Sequence, residues 1–587
     1  MISIPKSDGE TPMAAHVQDP HEVSEDLHHR DRIDIIEREA AEDVKQITLS
    51  WRSWLVVFMT CFAIMSQVFV VTAAGSVIAF IVRDLGESAL SGWIIQAPLL
   101  MQSVLSPIIG RLSDVLDRKY LAAGPPLIAF VGAIISAKAT SMTMLIGGGI
   151  LIGTTLSTIA IVQAIPSEIL PLKYRALANG FAFMGGAIGG LVGGLGAGAV
   201  TNVNASGWRY IFWIQAGFHG ATSLGLLLFY WPPKKLQTPK MRLKDYLWAC
   251  DPIGSTLFIC GATLILLALD WVAGSYSWSD PHVVAPLSLG LAFLIAFSGY
   301  EWKGRSDGLL AHVFFCHNAN FALSTFAFSV EGWIFYSAVN SIVPQVILNL
   351  GFQTDSWQIS IRQLSYSLVT MFVSVPITWY ATAFKDMKSP LLVTFTVFLV
   401  VTICYACIKP TWDKQQILFN VLAGIGQSGP LTLLVACVQF TAPHAFLSTA
   451  TGMAFSARAI GGAFGSAVLN AIINGHLASD YAPAVGKAAV EAGLPSSSVP
   501  DLLAAVASGA FSGVEGATPE VWSAATEESK WQYAKAYQLA WASIIPFVVL
   551  AIVAVAFLRG VKELMTEKVE ATVEHNTGGI YQEWKEL

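Results

Sequence analysis

The sequence predicts an all-α polytopic membrane protein that crosses the bilayer about fourteen times, and three observations carry that expectation. Hydrophobic residues make up 54% of the 587 and charged residues only 13%, with a mean hydropathy of +0.58, whereas a soluble domain carries about 25% charged residues. Apolar stretches of about 20 residues, enough to cross about 30 Å of hydrocarbon, recur along the chain. The lysines and arginines between them gather in alternate loops, as the positive-inside rule demands.

The chain opens on a polar segment without the apolar core of a cleavable signal, so residues 1–52 read as a largely disordered cytosolic tail and the first span as an uncleaved membrane signal. Within the tail, Asp31 to Ile47 sets Ile33, Ile35, Ile36, Val44 and Ile47 among charges, a pattern that suits a surface-lying amphipathic helix. His16, His21, His28 and His29 are spaced too loosely for a metal site.

Spans are expected near 54–76, 90–109, 120–137, 144–165, 177–200, 209–231, 253–272, 283–300, 319–343, 357–383, 390–408, 416–438, 446–474 and 537–558. An even count puts both tails in the cytosol. The inner loops then hold Arg111, Arg118, Lys119, Lys173, Arg175, a basic cluster from Lys234 to Lys244, Lys303, Arg305, Lys385 and Lys388, against Arg83, Lys138, Lys409 and Lys414 outside. The single glycosylation sequon, at Asn204, falls on the outer side. The outer connection 475–536 is far longer than the rest. Its Ala-rich stretches suggest short helices, and lid, partner surface and passive linker all fit.

Several function classes drop out. A net charge of −6, spread along the chain, offers no basic surface for nucleic acid. The seven cysteines lack metal-type spacing. There is no phosphate-binding Gly-x-x-x-x-Gly-Lys-Ser/Thr loop, because the Gly486-Lys487 pair lacks its partner glycine. No nucleophile, metal or acid–base constellation argues for an enzyme or a cofactor. Ion or solute gradients are left to supply energy.

Ionisable residues deep in a bilayer cost about 2.5–3.5 kcal/mol or more unless paired or hydrated, so each is a functional candidate. Glu331 lies mid-span in the ninth helix beside Gly332, Trp333, Phe335 and Tyr336. It reads as a proton-coupling acid or as half of a structural ion pair. Arg458, roughly 18 Å into the thirteenth span at 1.5 Å per residue, suits a partner for Glu331 or for an anionic substrate. His219, mid-span in the sixth helix, reads as a proton relay or a packing histidine. Arg362 lies shallower and suits snorkelling. Gln67, Gln96, Gln363 and Gln427 add neutral polar groups.

In the fifth span Gly185, Gly189 and Gly193 recur every fourth residue, with Gly186, Gly190 and Gly194 in a second row beside them. Together they predict a flat groove for another helix backbone. Ala459 to Ala467 in the thirteenth span holds a shorter version, a faint internal echo.

Gly110-Arg-Leu-Ser-Asp114-Val-Leu-Asp117-Arg118-Lys119, between the second and third spans, resembles the signature loop of the major facilitator superfamily, Gly-x-x-x-Asp-x-x-Gly-Arg-Lys/Arg, with Asp117 in place of the usual glycine. Gly110 permits close helix approach, Asp114 suits the positive end of another helix, and Arg118 and Lys119 suit loop anchors. The loop reads as a latch or as a plain positive-inside hairpin. The resemblance implies two six-helix bundles, 53–231 and 301–558, joined through a cytosolic connection at 232–252 and two extra helices at 253–300, with a C-tail at 559–587.

The segments Pro166 to Arg175, Gly207 to Gln215, Asp251-Pro-Ile-Gly254 and Thr451 to Gly462, with the long outer loop, resemble the fungal trichothecene efflux pump family, whose nearest cousins are siderophore-iron transporters. That resemblance implies proton-coupled efflux of a small hydrophobic metabolite, mycotoxin or drug by a monomer in the plasma membrane, or in a vacuolar or vesicle membrane. Uptake of ferric siderophores is the rival and a transporter-like receptor a third reading. It also implies an inside gate of Gly110, Asp114, Arg118, Glu168 and Arg175. Two departures stand out: the glycine-rich fifth span lacks the Gly-Pro pair of the family's antiporters, and the fourth span lacks the arginine that many proton-coupled relatives carry.

Overall fold

The computed structural model describes residues 51–566 apart from 87–89, 91–92, 117, 202–205, 232–242, 275, 317 and 509–513. The tail pattern at Asp31 to Ile47, the four tail histidines, Asp117, Asn204 and the chain beyond 566 lie outside the described residues. Among those described, fourteen helices are long and apolar enough to cross a membrane, and there is no strand.

We number these α1 (Trp51–Leu85), α2 (Trp93–Val115), α3 (Arg118–Ala137), α4 (Met142–Ile169), α5 (Arg175–Thr201), α6 (Arg209–Phe229), α7 (Pro252–Gly274), α8 (Pro281–Gly299), α9 (Asn320–Asn349), α10 (Ser356–Phe384), α11 (Lys388–Ala406), α12 (Asp413–Thr441), α13 (Leu447–His476) and α14 (Pro519–Ala556). Apolar sequence makes them insert, and side-chain caps mark several starts. Ser141, Asp355 and Thr518 accept the N–H groups of Met144, Gln358 and Val521.

Two helices depart from regular geometry where polar groups gather. α4 breaks at Thr158, and Gln67 of α1 donates to the Thr155 carbonyl (2.9 Å) and the Thr158 hydroxyl (3.0 Å) at the break. A backbone carbonyl released in hydrocarbon needs such a donor. α9 widens to a π-helix over Trp333–Ile342, starting two residues after Glu331.

The packing repeats. α1 lies on α4, α5 and α6, α3 lies between α4 and α6, and α2 packs on α4. Eight helices later α9 lies on α12, α13 and α14, α11 lies between α12 and α14, and α10 packs on α12. Contacts between the halves also come in matched pairs: α2 with α13 and α10 with α5, α4 with α13 and α12 with α5. The inserted α7–α8 pair packs on itself, and α7 rests against α2 and α13 through Phe258, Ala262 and Leu266.

The glycine rows of α5 divide their work. A Cβ on Gly185 or Gly189 would strike the backbone carbonyls of Cys61 or Met65 on α1, and one on Gly193 would strike Thr72. The second row does not form the expected backbone groove: Gly186 and Gly190 face only side-chain methyls, and Gly194 has open space. At about 3.6 residues per turn the two rows sit about 100° apart, so one flat neighbour covers one row. The echo in α13 repeats the arrangement, with Gly461 against the Ser329 carbonyl of α9.

The last span starts earlier than its hydropathy suggests, at Pro519 rather than near 537. Its 38 residues make a rod about 57 Å long at 1.5 Å per residue, longer than the hydrocarbon layer. Two short helices, Ala482–Glu491 and Val499–Ser508, pack on the projecting end around Val485, Ala489, Leu494, Leu502, Val521 and Ala525.

Replacing Gly189 by valine forces side-chain atoms into the Met65 carbonyl. The expected cost is about 1–3 kcal/mol, read as a lower melting temperature of detergent-purified protein, while Gly194→Ala stays near wild type.

Candidate functional site

Two polar sites lie on the surfaces where the halves and their helices meet. The first is the expected latch. Gly110 brings α2 against α13 so closely that a Cβ would strike the Ser448 carbonyl. One turn on, the Asp114 carboxylate accepts the N–H groups of Ser448 (3.3 Å) and Thr449 (2.8 Å) and the Thr449 hydroxyl (2.7 Å), at the first turn of α13. A helix N-terminus presents free N–H groups and a partial positive charge, and a carboxylate satisfies both.

Arg118 corrects its assignment as a loop anchor. It is buried, donates through Nη2 to Asp114 (2.7 Å) and through Nη1 to Glu168, and so bridges two acids. Lys119 is buried as well, with its ammonium over the Trp231 ring. Arg175 reaches across to the Gln439 carbonyl on α12 (2.9 Å), and the Gln439 amide oxygen accepts from Ser167 and Asn179, both at 2.9 Å. Gln439 and Asn179 escaped sequence reasoning because neutral amides leave no charge signature. Further up, Gly452 abuts the Ser106 carbonyl, and Ser456 donates to the Ser103 carbonyl. Together these bonds hold the halves shut at this end.

The second site lies on α9, α12 and α13. Arg458 clasps Glu331 with two bonds, Nε to Oε2 at 2.5 Å and Nη2 to Oε1 at 2.9 Å, while Gln427 also donates to Oε1. Glu331 is 0% exposed and Arg458 5%. The guanidinium sits against the rings of Phe328, Phe335 and Tyr336 at 4.7–5.2 Å and donates to the Tyr336 hydroxyl (3.0 Å). Gly332 makes this possible, since a Cβ there would strike the Arg458 carbonyl. Phe328 also meets Phe455 (5.3 Å between centroids), which meets Phe183 of the other half (6.4 Å). A charge pair thus abuts an aromatic seam between the halves.

His219 is not drawn into either site. It is buried on α6, which packs on α1 and α3, and neither ring nitrogen has a hydrogen-bond partner among the described residues. Arg362 does not snorkel: it pairs with Asp413 (2.7 Å) and Gln416 on α12. The Gly207-Trp-Arg segment forms a clip at the end away from the latch, where Trp208 and Arg209 both donate to Asp84 of α1 and Arg209 also reaches the Ala139 carbonyl.

Two pseudo-equivalent helical halves with a charged latch and a buried ion pair define a multi-pass membrane transport scaffold. The model of the Major Facilitator Superfamily matches residues 57–466, and the chain belongs to that superfamily. It is 28% identical over 507 residues to the MFS-type transporter prx5 of Penicillium rubens, covering 85% of this chain and 89% of that protein. It is 30% identical over 259 residues to the acurin A biosynthesis cluster MFS-type transporter of Aspergillus aculeatus, covering 43% and 45%. Among solved structures, the human organic anion transporter MFSD10 (TETRAN) superposes with a TM-score of 0.50 at 12% identity, covering 86% of this chain and 99% of that one; this likeness concerns the fold alone.

Breaking a buried ion pair by removing one partner costs about 3–5 kcal/mol because the survivor stays charged. Glu331→Ala and Arg458→Ala should each lower thermal stability strongly, and the double variant by less than the sum, which a double-mutant cycle reads directly. At the latch, Asp114→Asn removes charge-assisted bonds worth about 1.5–3 kcal/mol each. A cysteine placed at Ala450 should then react faster with a water-soluble maleimide than the same cysteine beside intact Asp114.

Proposed function

We propose that the chain is a proton-coupled exporter of hydrophobic secondary metabolites, mycotoxins or drugs, of the fourteen-span efflux branch, acting at the plasma membrane with the latch and both tails in the cytosol. The observation that carries this reading is the Glu331–Arg458 clasp beside the aromatic seam. An ionised Glu331 holds Arg458. A proton arriving at Glu331 removes the charge that holds it, and the guanidinium must find other partners.

Phe328 touches Arg458 on one side and Phe455 on the other, so that rearrangement reaches the surface between the halves. An apolar cargo bound along Phe183, Phe328 and Phe455 would feel the protonation state one side chain away. Alternating access then exchanges one proton inward for one cargo molecule outward, with the latch closing the cytosolic path. Under this topology the Asn204 sequon falls on the outer side, the side on which a sequon is glycosylated.

Relatives named as MFS-type transporters, one of them from a metabolite biosynthesis cluster, support the cargo class. α4 lacks an arginine and instead carries a break held by Gln67, which supports the choice of the second half for the coupling acid.

Cells producing the protein should extrude apolar fungal toxins from a test panel, and a protonophore should stop the extrusion. Glu331→Gln, which keeps the shape but not the charge, should lower proton-driven extrusion by at least about tenfold, the equivalent of about 1.4 kcal/mol, at equal protein level. Extrusion that ignores the protonophore would sink the coupling. Accumulation of a labelled ferric chelate in the same cells would turn the reading to uptake.

A further inference from the structure

A third cluster of buried charge sits where the inserted helices meet α2. Asp251 stands just before α7 in a left-handed backbone conformation (φ 52°), and Glu301 stands just after α8. They are 0% and 2% exposed. Asp251 accepts from the Gly254 N–H (3.0 Å) and the Leu309 N–H (3.3 Å), with Arg305 Nη1 at 3.7 Å from Oδ1. Glu301 Oε2 accepts from the Leu310 N–H (3.0 Å) and the Leu309 N–H also faces the carboxyl, but Oε1 has no hydrogen-bond donor among the described residues and, with Asp251 Oδ2, crowds the space beside Gly254. Glycines press in on both acids: a Cβ on Gly254 would strike both carboxyl groups, and one on Gly308 would strike Glu301.

Among the described residues no cation bonds to that oxygen, and the surrounding groups explain why. On the Glu301 segment, Arg305 turns instead to Asp307 (2.9 Å) and stacks on Trp248, Tyr300 lies beside it, and the His312 ring contacts the Glu301 backbone carbonyl (3.0 Å). From the short helix Leu243–Ala249 and its end come the Ala249 carbonyl and the Cys250 thiol. From α2 comes Arg111, which donates to the Ala249 carbonyl (2.9 Å) and lies 3.8 Å from Asp307. From α13 come apolar Ile460 and Ala463.

Two buried carboxyl groups facing each other without an intervening cation repel when both are ionised. They form a hydrogen bond when one carries a proton. We propose that Asp251 and Glu301 hold one proton between them and form a second protonation site, at the joint between the α7–α8 pair and the latch segment of α2. Losing the proton breaks the Glu301 O–H bond, passes H⁺ to cytosolic water and leaves two adjacent carboxylates. Arg305, already 3.7 Å from Asp251, is the nearest cation and would close further on the pair, away from Asp307. Asp307 is the acid that faces Arg111, one residue from Gly110 and three from Asp114. The protonation of the pair therefore bears on how firmly the inserted helices grip the latch, whether or not Glu331 couples transport.

A protonated carboxyl has an infrared carbonyl stretch distinct from that of a carboxylate. In full-length protein in lipid nanodiscs, titrated with buffer from acid to alkaline pH, one such band should vanish as pH rises. Carbon-13 glutamate should shift it in the unmutated chain. Glu301→Gln should remove it, Glu331→Gln should leave it, and Asp251→Asn should move its loss to lower pH by taking away the opposing charge. The absence of a titrating band, a band unmoved by carbon-13 glutamate, its survival in Glu301→Gln, its loss in Glu331→Gln or an unchanged midpoint in Asp251→Asn would each overturn the proposal. The labelled wild-type protein decides the matter even if a variant fails to fold.

Discussion

The Asp114 carboxylate seated on the first turn of α13 is the interaction on which the rest of the structure depends. It satisfies backbone donors that have no helical partner and places a negative charge on a positive helix end, while Arg118 neutralises the acid from the other side. Because α13 also carries Arg458 to Glu331 and rests its glycines on α2 and α9, the same rigid element takes part in both polar sites. A shift of α13 along its axis would disturb the latch and the ion pair together, which joins events at the membrane face to events at its middle.

Each segment that carried a family resemblance turns out to be a joint. Pro166 to Arg175 supplies Glu168 and Arg175 to the closed end, Gly207 to Arg209 clips α6 to α1 at the other end, Asp251 to Gly254 turns the chain into the inserted pair, and Thr451 to Gly462 lays α13 against α2 and α9. The common cause is the absence of a hydrophobic driving force between helices in lipid. Association there rests on close backbone approach and on hydrogen bonds, and both require particular residues at particular places.

Most of the fold was legible in the sequence because hydropathy reports the lipid directly: the span positions lie within a few residues of the observed helices, apart from α14 and from the far ends of α1, α2 and α9, which run on to Leu85, Val115 and Asn349. The early start of α14 was hidden because its first turns carry Glu527, Glu528, Lys530 and Lys535, and hydropathy measures affinity for lipid rather than helicity. The expected pairing of Arg458 with Glu331 could be reasoned out since a buried charge must find a partner. The acids at Asp251 and Glu301 could not, because each stands at a span end, where charge is ordinary, and fifty residues of chain separate them. The second glycine row failed for a geometric reason, since spacing along a helix says which side chains align and not whether a neighbour lies opposite.

The unbroken course of α14 has one further consequence. A continuous helix that is anchored between α9, α11 and α13 and, at 38 residues, is longer than the hydrocarbon layer would behave like the pointer of a gauge. Any lean of its anchored part swings the helical cap at its tip through a larger arc, so the attitude of that cap displays, on the far face of the membrane, which way the core is tipped.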